Sequence, residues 1–171
     1  MFSIDKSVPV NANLKPGDPA LTRDHIWEGL LMKAYDAKPF VHLMTKCEVT
    51  REFENGIERD IVFRGMELTE RLIFYPTTKV EFLRTKGIEM GTITNEIVED
   101  SAGGLHLRFA FSLERSDMRP GSPEEKEFAA GYAGINSGRN AVFPRVGGDN
   151  NSSTYATIPG RSGSGGNLYK K

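Results

Sequence analysis

The chain is poor in the residues that build cross-links, metal centres and membrane anchors. Cys47 is the single cysteine in 171 residues, which excludes an intrachain disulfide. The three histidines, His25, His42 and His106, stand far apart, and with one thiol they give no metal-ligand spacing, so no zinc or iron site is expected. Charge of one sign is missing as well. The 22 Lys and Arg are scattered among 23 Asp and Glu for a formal net charge of -1, which leaves no electrostatic footprint for nucleic acid or an anionic membrane. No apolar run approaches the roughly 20 residues of a membrane span. The opening "MFSIDKSVPV" lacks the basic region and apolar core of a signal peptide. A lone thiol without such signals fits a reducing, cytoplasmic location.

The residues present describe one domain. The opening strand, "FSIDKSVPVN", alternates Phe2, Ile4, Lys6, Val8 and Val10, with Pro9 suited to an edge or to the end of pairing. "ALTRDHIWEGLLMKAYD" predicts a helix, with Thr22 as N-cap, Leu21 and Ile26 as a hydrophobic staple, and Ile26, Trp27, Leu30, Leu31 and Ala34 as its apolar stripe. "KPFVHLMTK" predicts a second short helix entered through Pro39. From Cys47 to Arg115 the period changes to two. Candidate strands cover 46–54, 57–64, 67–75, 79–85, 88–99 and 105–115, and their short turn-rich joints suit an antiparallel meander. A last helix starts at Ser122 (N-cap), Pro123 and Glu125 (capping box), with Phe128, Tyr132, Ile135 and Val142 as its stripe. Gly131 and Gly138 fall beside that stripe; either the helix ends or kinks there, or volume has been removed where helix faces sheet. The Gly/Ser-rich stretch from 147 predicts a disordered tail after a domain over 1–146. The class is α+β: a curved seven-stranded antiparallel sheet around a long C-terminal helix, two short helices closing an end, and a cavity inside.

"GIERDIVFRGMELTERLIF", residues 56–74, poses the functional question. Its face to bury carries Ile57, Ile61, Phe63, Leu68, Leu72 and Phe74, yet also Arg59 and Glu70. Reading "RGM" as the turn sets Arg59 opposite Leu72 and Ile61 opposite Glu70, so Arg59 and Glu70 become diagonal neighbours. "ITNEI" adds Asn95 between Ile93 and Ile97. Three polar groups among Ile61, Phe63, Leu72, Phe74, Phe82, Phe109 and Phe111 describe greasy walls with a few directing groups. Three readings stay open. Arg59 snorkels to the rim while Glu70 meets a surface lysine; the two form a buried structural pair; or they form a functional constellation. In the last, Glu70 removes a proton alpha to a carbonyl while Arg59 and Asn95 stabilise the developing oxyanion, with no bound cofactor. Tyr132 either aims its hydroxyl into the cavity or packs as ordinary core. Lys33, at the margin of the helical stripe, reads as a snorkelling surface lysine, Cys47 as a buried inert thiol, and the histidines as solvent-facing or helix-end residues.

The ordered set "PALTRDHIWEGLLMKA", "PFVHLMTKCEV", "IERDIVF", "LTERLIFYP" and "ITNEIVED" resembles the AtaL-like branch of the START/SRPBCC (polyketide-cyclase, birch-pollen-allergen-like) superfamily, over roughly residues 1–116. The resemblance implies a helix-grip fold whose interior binds hydrophobic small molecules. Members are largely small fungal and bacterial proteins, several encoded in fungal secondary-metabolite clusters. The expected function is therefore a small-molecule-binding protein of natural-product metabolism: a cofactor-independent cyclase or isomerase acting on a polyketide- or alkaloid-like intermediate, or else a non-catalytic carrier. The partner implied is a hydrophobic ligand, and an exposed sheet edge offers a route to a homodimer.

Overall fold

The computed structural model describes residues 1–12 and 14–133. The continuation of the last helix through Ile135, Gly138 and Val142, the domain end at 146 and the Gly/Ser-rich tail lie outside the described residues. The element order is β1 (Phe2–Pro9), α1 (Arg23–Tyr35), β2 (Met44–Phe53), β3 (Gly56–Phe63), β4 (Met66–Tyr75), β5 (Lys79–Lys86), β6 (Glu89–Glu99), β7 (Leu105–Arg115) and α2 (Pro123–Ala133). The strands make one antiparallel sheet, ordered β1-β7-β6-β5-β4-β3-β2. Hairpins join β2 through β7 in succession, as the short joints require, and β1 pairs with β7. None of the described helices is long and apolar enough to cross a membrane.

The caps fall largely where the sequence puts them. The His25 amide donates to Thr22 Oγ1 and the Thr22 amide to His25 Nδ1, each at 3.2 Å, closing a reciprocal cap on α1. Leu21 and Ile26 are both buried, as a staple demands. At α2 the Glu125 amide bonds Ser122 Oγ at 3.2 Å, but the Glu125 carboxylate takes the Gly121 amide at 2.6 Å, one residue before the position a capping box uses.

Two expectations need correction. The second short helix is a set of turns: the Ala37 carbonyl accepts from both Phe40 and Val41, Met44 bonds back to Val41, and β2 already begins at Met44. Six intervening residues do not repay helix nucleation when the chain is being recruited into a strand. The turn between β3 and β4 is the second correction. Arg64 (φ 51°) and Gly65 (φ 74°) form a two-residue loop whose positive φ values match the strand twist. Phe63 therefore pairs with Met66, Ile61 with Leu68, and Arg59 directly with Glu70 rather than diagonally.

The sheet curves around α2. Tyr132 lies 5.7 Å from Phe2, 5.7 Å from Phe63 and 5.4 Å from Phe111 between ring centroids, reaching strands β1, β3 and β7 at once. Such aromatic contacts contribute about 0.5–1.5 kcal/mol each beyond the area they bury. The space beside Gly131 is filled, because a Cβ there would collide with the Arg64 guanidinium, which stacks on Phe63, Phe128 and Tyr132. The glycine admits an arginine reaching in from the β3–β4 turn; it does not leave a void.

Candidate functional site

Three adjacent strands each aim one charged residue at the concave face. Arg59 on β3 pairs with Glu70 on β4, and Glu70 with Arg84 on β5. All three are at most 4% exposed, so the rim-snorkelling reading is overturned: the arginine is too deep, and its partner is not a surface lysine. Arg59 Nε and Nη2 donate to Glu70 Oε2 at 3.0 and 2.8 Å, and Arg84 Nε donates to Glu70 Oε1 at 3.3 Å. Arg59 Nη1 reaches the carbonyls of Lys33 and Ala34 at 2.9 and 2.6 Å. Those are among the carbonyls a helix leaves without intrahelical partners, so Arg59 ties the C-terminal turn of α1 to the sheet. An arginine on an apolar face thus has a structural cause.

The row continues towards α2. Arg84 Nη1 donates to the Tyr132 hydroxyl at 3.1 Å and also contacts the Glu89 carboxylate. The Tyr132 hydroxyl in turn donates to Glu89 Oε1. Among the described residues, Glu89 Oε2 and Asn95 Oδ1 are buried oxygens that accept no hydrogen bond. Such groups are costly in an apolar interior.

A cavity of about 60 Å³ lies against this row. Arg59, Glu70, Asn95, Phe63, Phe82, Phe111 and Tyr132 line it, together with Lys33, Ala37, Val41, Met44, Arg84 and Ile93. Ile61, Leu72 and Phe109 do not line it; they are at most 1% exposed and sit in the packed core. Phe74 is half-buried against Tyr35, 6.3 Å between centroids, and also lies away from the cavity. The aromatic face is therefore divided, part of it core and part of it wall.

Lys33 is a further correction. It is 5% exposed, its Nζ lies 5.5 Å above the Phe109 ring, and it lines the cavity. Position 33 follows Leu30 by three and Ile26 by seven, within the stripe and not at its solvent margin. Arg84 and Glu89 were legible by parity, since Val80, Phe82 and Arg84 alternate inward on β5, and Glu89 shares parity with Ile93, Asn95 and Ile97 on β6. Cys47 is half-buried, with the Ala37 amide 3.4 Å from its sulfur. His25 serves in the α1 cap, and His106 pairs with Asp100 at 2.9 Å on the outside.

The electrostatics separate the two titratable groups on the cavity wall. Burial pushes the Glu70 carboxyl up, but the Arg59 and Arg84 guanidiniums outweigh it and hold Glu70 below the usual glutamate range. Burial, reinforced by Arg59 and opposed by Glu70, lowers the Lys33 ammonium to about 8. Burial also raises the Tyr132 phenol, against the pull of Arg84. Near neutral pH, Glu70 is an anion and Lys33, still mostly protonated, lies closer to its titration than an ordinary lysine. Among the described residues, no group of three or more His, Cys, Asp or Glu is placed to hold a metal ion.

Comparison with known proteins follows the same lines. The profile of the family described as "Acetylaranotin biosynthesis cluster protein L" (AtaL) matches residues 6–140. A protein of that name from Aspergillus terreus is 26% identical over 132 residues, covering 77% of this chain and 78% of its own. Among solved structures, the Zhui aromatase/cyclase from Streptomyces sp. R1128 superposes with a TM-score of 0.57 at 15% identity, covering 82% of this chain and 87% of its own. A START superfamily protein from Mycobacterium smegmatis gives a TM-score of 0.56 at 13% identity, covering 77% and 88%. Identities that low speak for the fold. The match over residues 6–140 shows that the chain belongs to the AtaL family, and its sheet grips α2 in a START-like fold.

Proposed function

We propose that this protein binds a hydrophobic, carbonyl-bearing intermediate of secondary metabolism in its cavity and converts it by acid–base chemistry, as a cofactor-independent cyclase or isomerase. The Aspergillus relative is named for a biosynthesis cluster and a protein of like fold for aromatase/cyclase activity, which supports that substrate class. The observation that carries the reading is one wall where Lys33, Arg59, Glu70, Arg84 and Asn95 meet Phe82, Phe111 and Ile93. Apolar walls fold a flexible substrate into a reactive conformer, and the polar side addresses its oxygens. Glu70, held ionised by two guanidiniums, is a weak base, and its part in this reading is to position Arg59 and Arg84. Arg84 and Asn95 meet the substrate's oxygens, and Lys33 is the group that gives and takes the proton.

Liquid-chromatography mass spectrometry of what the protein binds and releases, after exposure to aromatic polyketone test compounds, tests this. The expected result is release of altered compounds by the wild type, and binding without alteration by Lys33→Met. A carrier is the second reading, favoured by how fully Arg59, Glu70 and Arg84 are hydrogen-bonded to one another. About 60 Å³ is far below the roughly 300–1,000 Å³ of pockets that enclose drug-sized ligands, so a ligand must displace the wall. The wall at Ala37, Val41 and Met44 belongs to the turn segment before β2 and to the start of β2, an edge strand, where movement costs least. Recovery of only unaltered compound would establish the carrier.

A further inference from the structure

We infer that Lys33 is a nucleophilic amine, which condenses with the ketone or aldehyde carbonyl of a ligand in the cavity to form a protonated imine. The inference rests on the cavity reading above and sharpens the part of Lys33 within it, from proton exchange to a covalent bond.

Position comes first. Lys33 stands in the last turn of α1, and its own carbonyl is held by Arg59 Nη1 at 2.9 Å, so the backbone carrying the amine is anchored to the sheet. Its side chain is buried and shares the cavity wall with Arg59, Glu70, Asn95, Phe82 and Ile93. Lysine is rarely buried to this degree, and an amine kept out of water on an apolar wall has a use that a solvated one lacks.

Charge comes second. The charged groups around the cavity are Arg59 from β3, Glu70 from β4, Arg84 from β5 and Glu89 from β6, with the Tyr132 phenol from α2. Both carboxylates are engaged by guanidiniums, and Glu70 by two of them. Among the described residues, a protonated Lys33 adds a further cation beside Arg59 and is opposed by Glu70. Burial and the nearby Arg59 accordingly favour the neutral amine, and the ammonium is lowered to about 8. At pH 7 about a tenth of Lys33 is then the neutral amine, on the order of a hundredfold or more above an ordinary lysine.

The step balances without an added reagent. The ammonium first releases one proton. The Nζ lone pair attacks the carbonyl carbon, the π electrons move to oxygen, and oxygen takes that proton to give a carbinolamine. Asn95 Oδ1, an acceptor without a hydrogen bond among the described residues, suits the new hydroxyl. Nitrogen then expels the hydroxyl, which leaves as water with a second proton from nitrogen, so ammonium plus carbonyl becomes iminium plus water. The iminium withdraws electrons from the neighbouring carbon and acidifies its C–H, which is the activation that carbon–carbon ring closure needs. Water returns the amine by the reverse path.

Reductive trapping tests the inference. The full-length protein is incubated with acetone and cyanoborohydride across pH 6–11, and isopropylated peptides are mapped by mass spectrometry. The same samples are probed for binding of anilinonaphthalene sulfonate to the cavity. The expected result is that Lys33 is labelled ahead of every exposed lysine at pH 7, with a rate that levels off above about pH 8–9. Lys33→Met and Lys33→Arg, checked for folding by circular dichroism, should lose that early label. Dye binding with Lys33 unlabelled overturns the covalent step and leaves the binding reading standing. Absence of both dye binding and label overturns the two together. A Lys33 label that climbs with pH in step with the surface lysines also overturns the inference.

Discussion

The sheet carries two three-strand rows of charge, one on each face. Inside, Arg59, Glu70 and Arg84 run across β3, β4 and β5 as plus, minus, plus. Outside, Asp5, Arg108 and Glu96 run across β1, β7 and β6 as minus, plus, minus, with Arg108 2.9 Å from Asp5 through Nε and 3.0 Å from Glu96 through Nη1. The lengths are alike, yet the rows do different work. Side-chain exposure is 3% for each member of the inner row and 42% for Arg108. Water and salt screen the outer row, and its members lose little if parted. The inner row is shielded from bulk water and salt, so its members depend on one another.

The largest expected effect breaks the inner row at its centre. Glu70→Gln removes the anion between two buried guanidiniums and should cost about 3–5 kcal/mol in urea denaturation. The pH response has a definite sign. The Glu70 carboxyl is held below its ordinary value on folding, so its contribution is present at neutral pH. That contribution is lost as pH falls below the ordinary glutamate range and through the folded value. A shift no larger than that of an outer-row variant would erase the distinction between the faces.

Lys33 gives the next effect, in the opposite pH range. Its ammonium is lowered from 10.5 to about 8 on folding, so between those values the unfolded chain binds more protons. Stability should therefore rise with pH from 8 to 10.5, by about 3 kcal/mol at most. Thermal melts of wild type and Lys33→Met across that window check it, and the variant should lack the rise.

Tyr132→Phe is smaller. It keeps the ring against Phe2, Phe63 and Phe111 but removes the hydroxyl that joins Arg84 to Glu89, for about 1–3 kcal/mol in the same urea assay. Smallest is Arg108→Ala on the outer face. The urea midpoint should stay almost where it is, and whatever change appears at low salt should vanish when salt is added. A larger effect than Tyr132→Phe would reverse the ranking.

Much of this architecture was legible in the letters. The strict alternation in "GIERDIVF" and "LTERLIF" put Arg59 and Glu70 on the inner face, and "ITNEI" did so for Asn95. The register between them was not legible, because Arg64 takes a positive φ that no glycine or asparagine announces, and the loop is two residues long instead of three. Arg84 and Glu89 obey the same parity rule. Parity alone does not bury a charged residue, because burial needs a partner, and theirs come from β4 and from α2, 14 and 43 residues away. The burial of Lys33 is set by tertiary packing in the same way. The division of Ile61, Leu72 and Phe109 into core and Phe63, Phe82 and Phe111 into wall followed from where α1 and the turn after it settle.

By itself, the sequence determined what depends on neighbours along the chain: strand parity, the α1 cap, the meander, and the charges on an otherwise apolar face. Only the tertiary structure decided that Arg59 would close the end of α1, that Glu70 would sit between two guanidiniums, and that Lys33 would shed its proton more easily than other lysines. The reason is physical. Alternation and capping are fixed by bonds a few residues long, whereas burial, charge balance and the volume of a cavity are sums over strands and helices that meet only when the chain has folded.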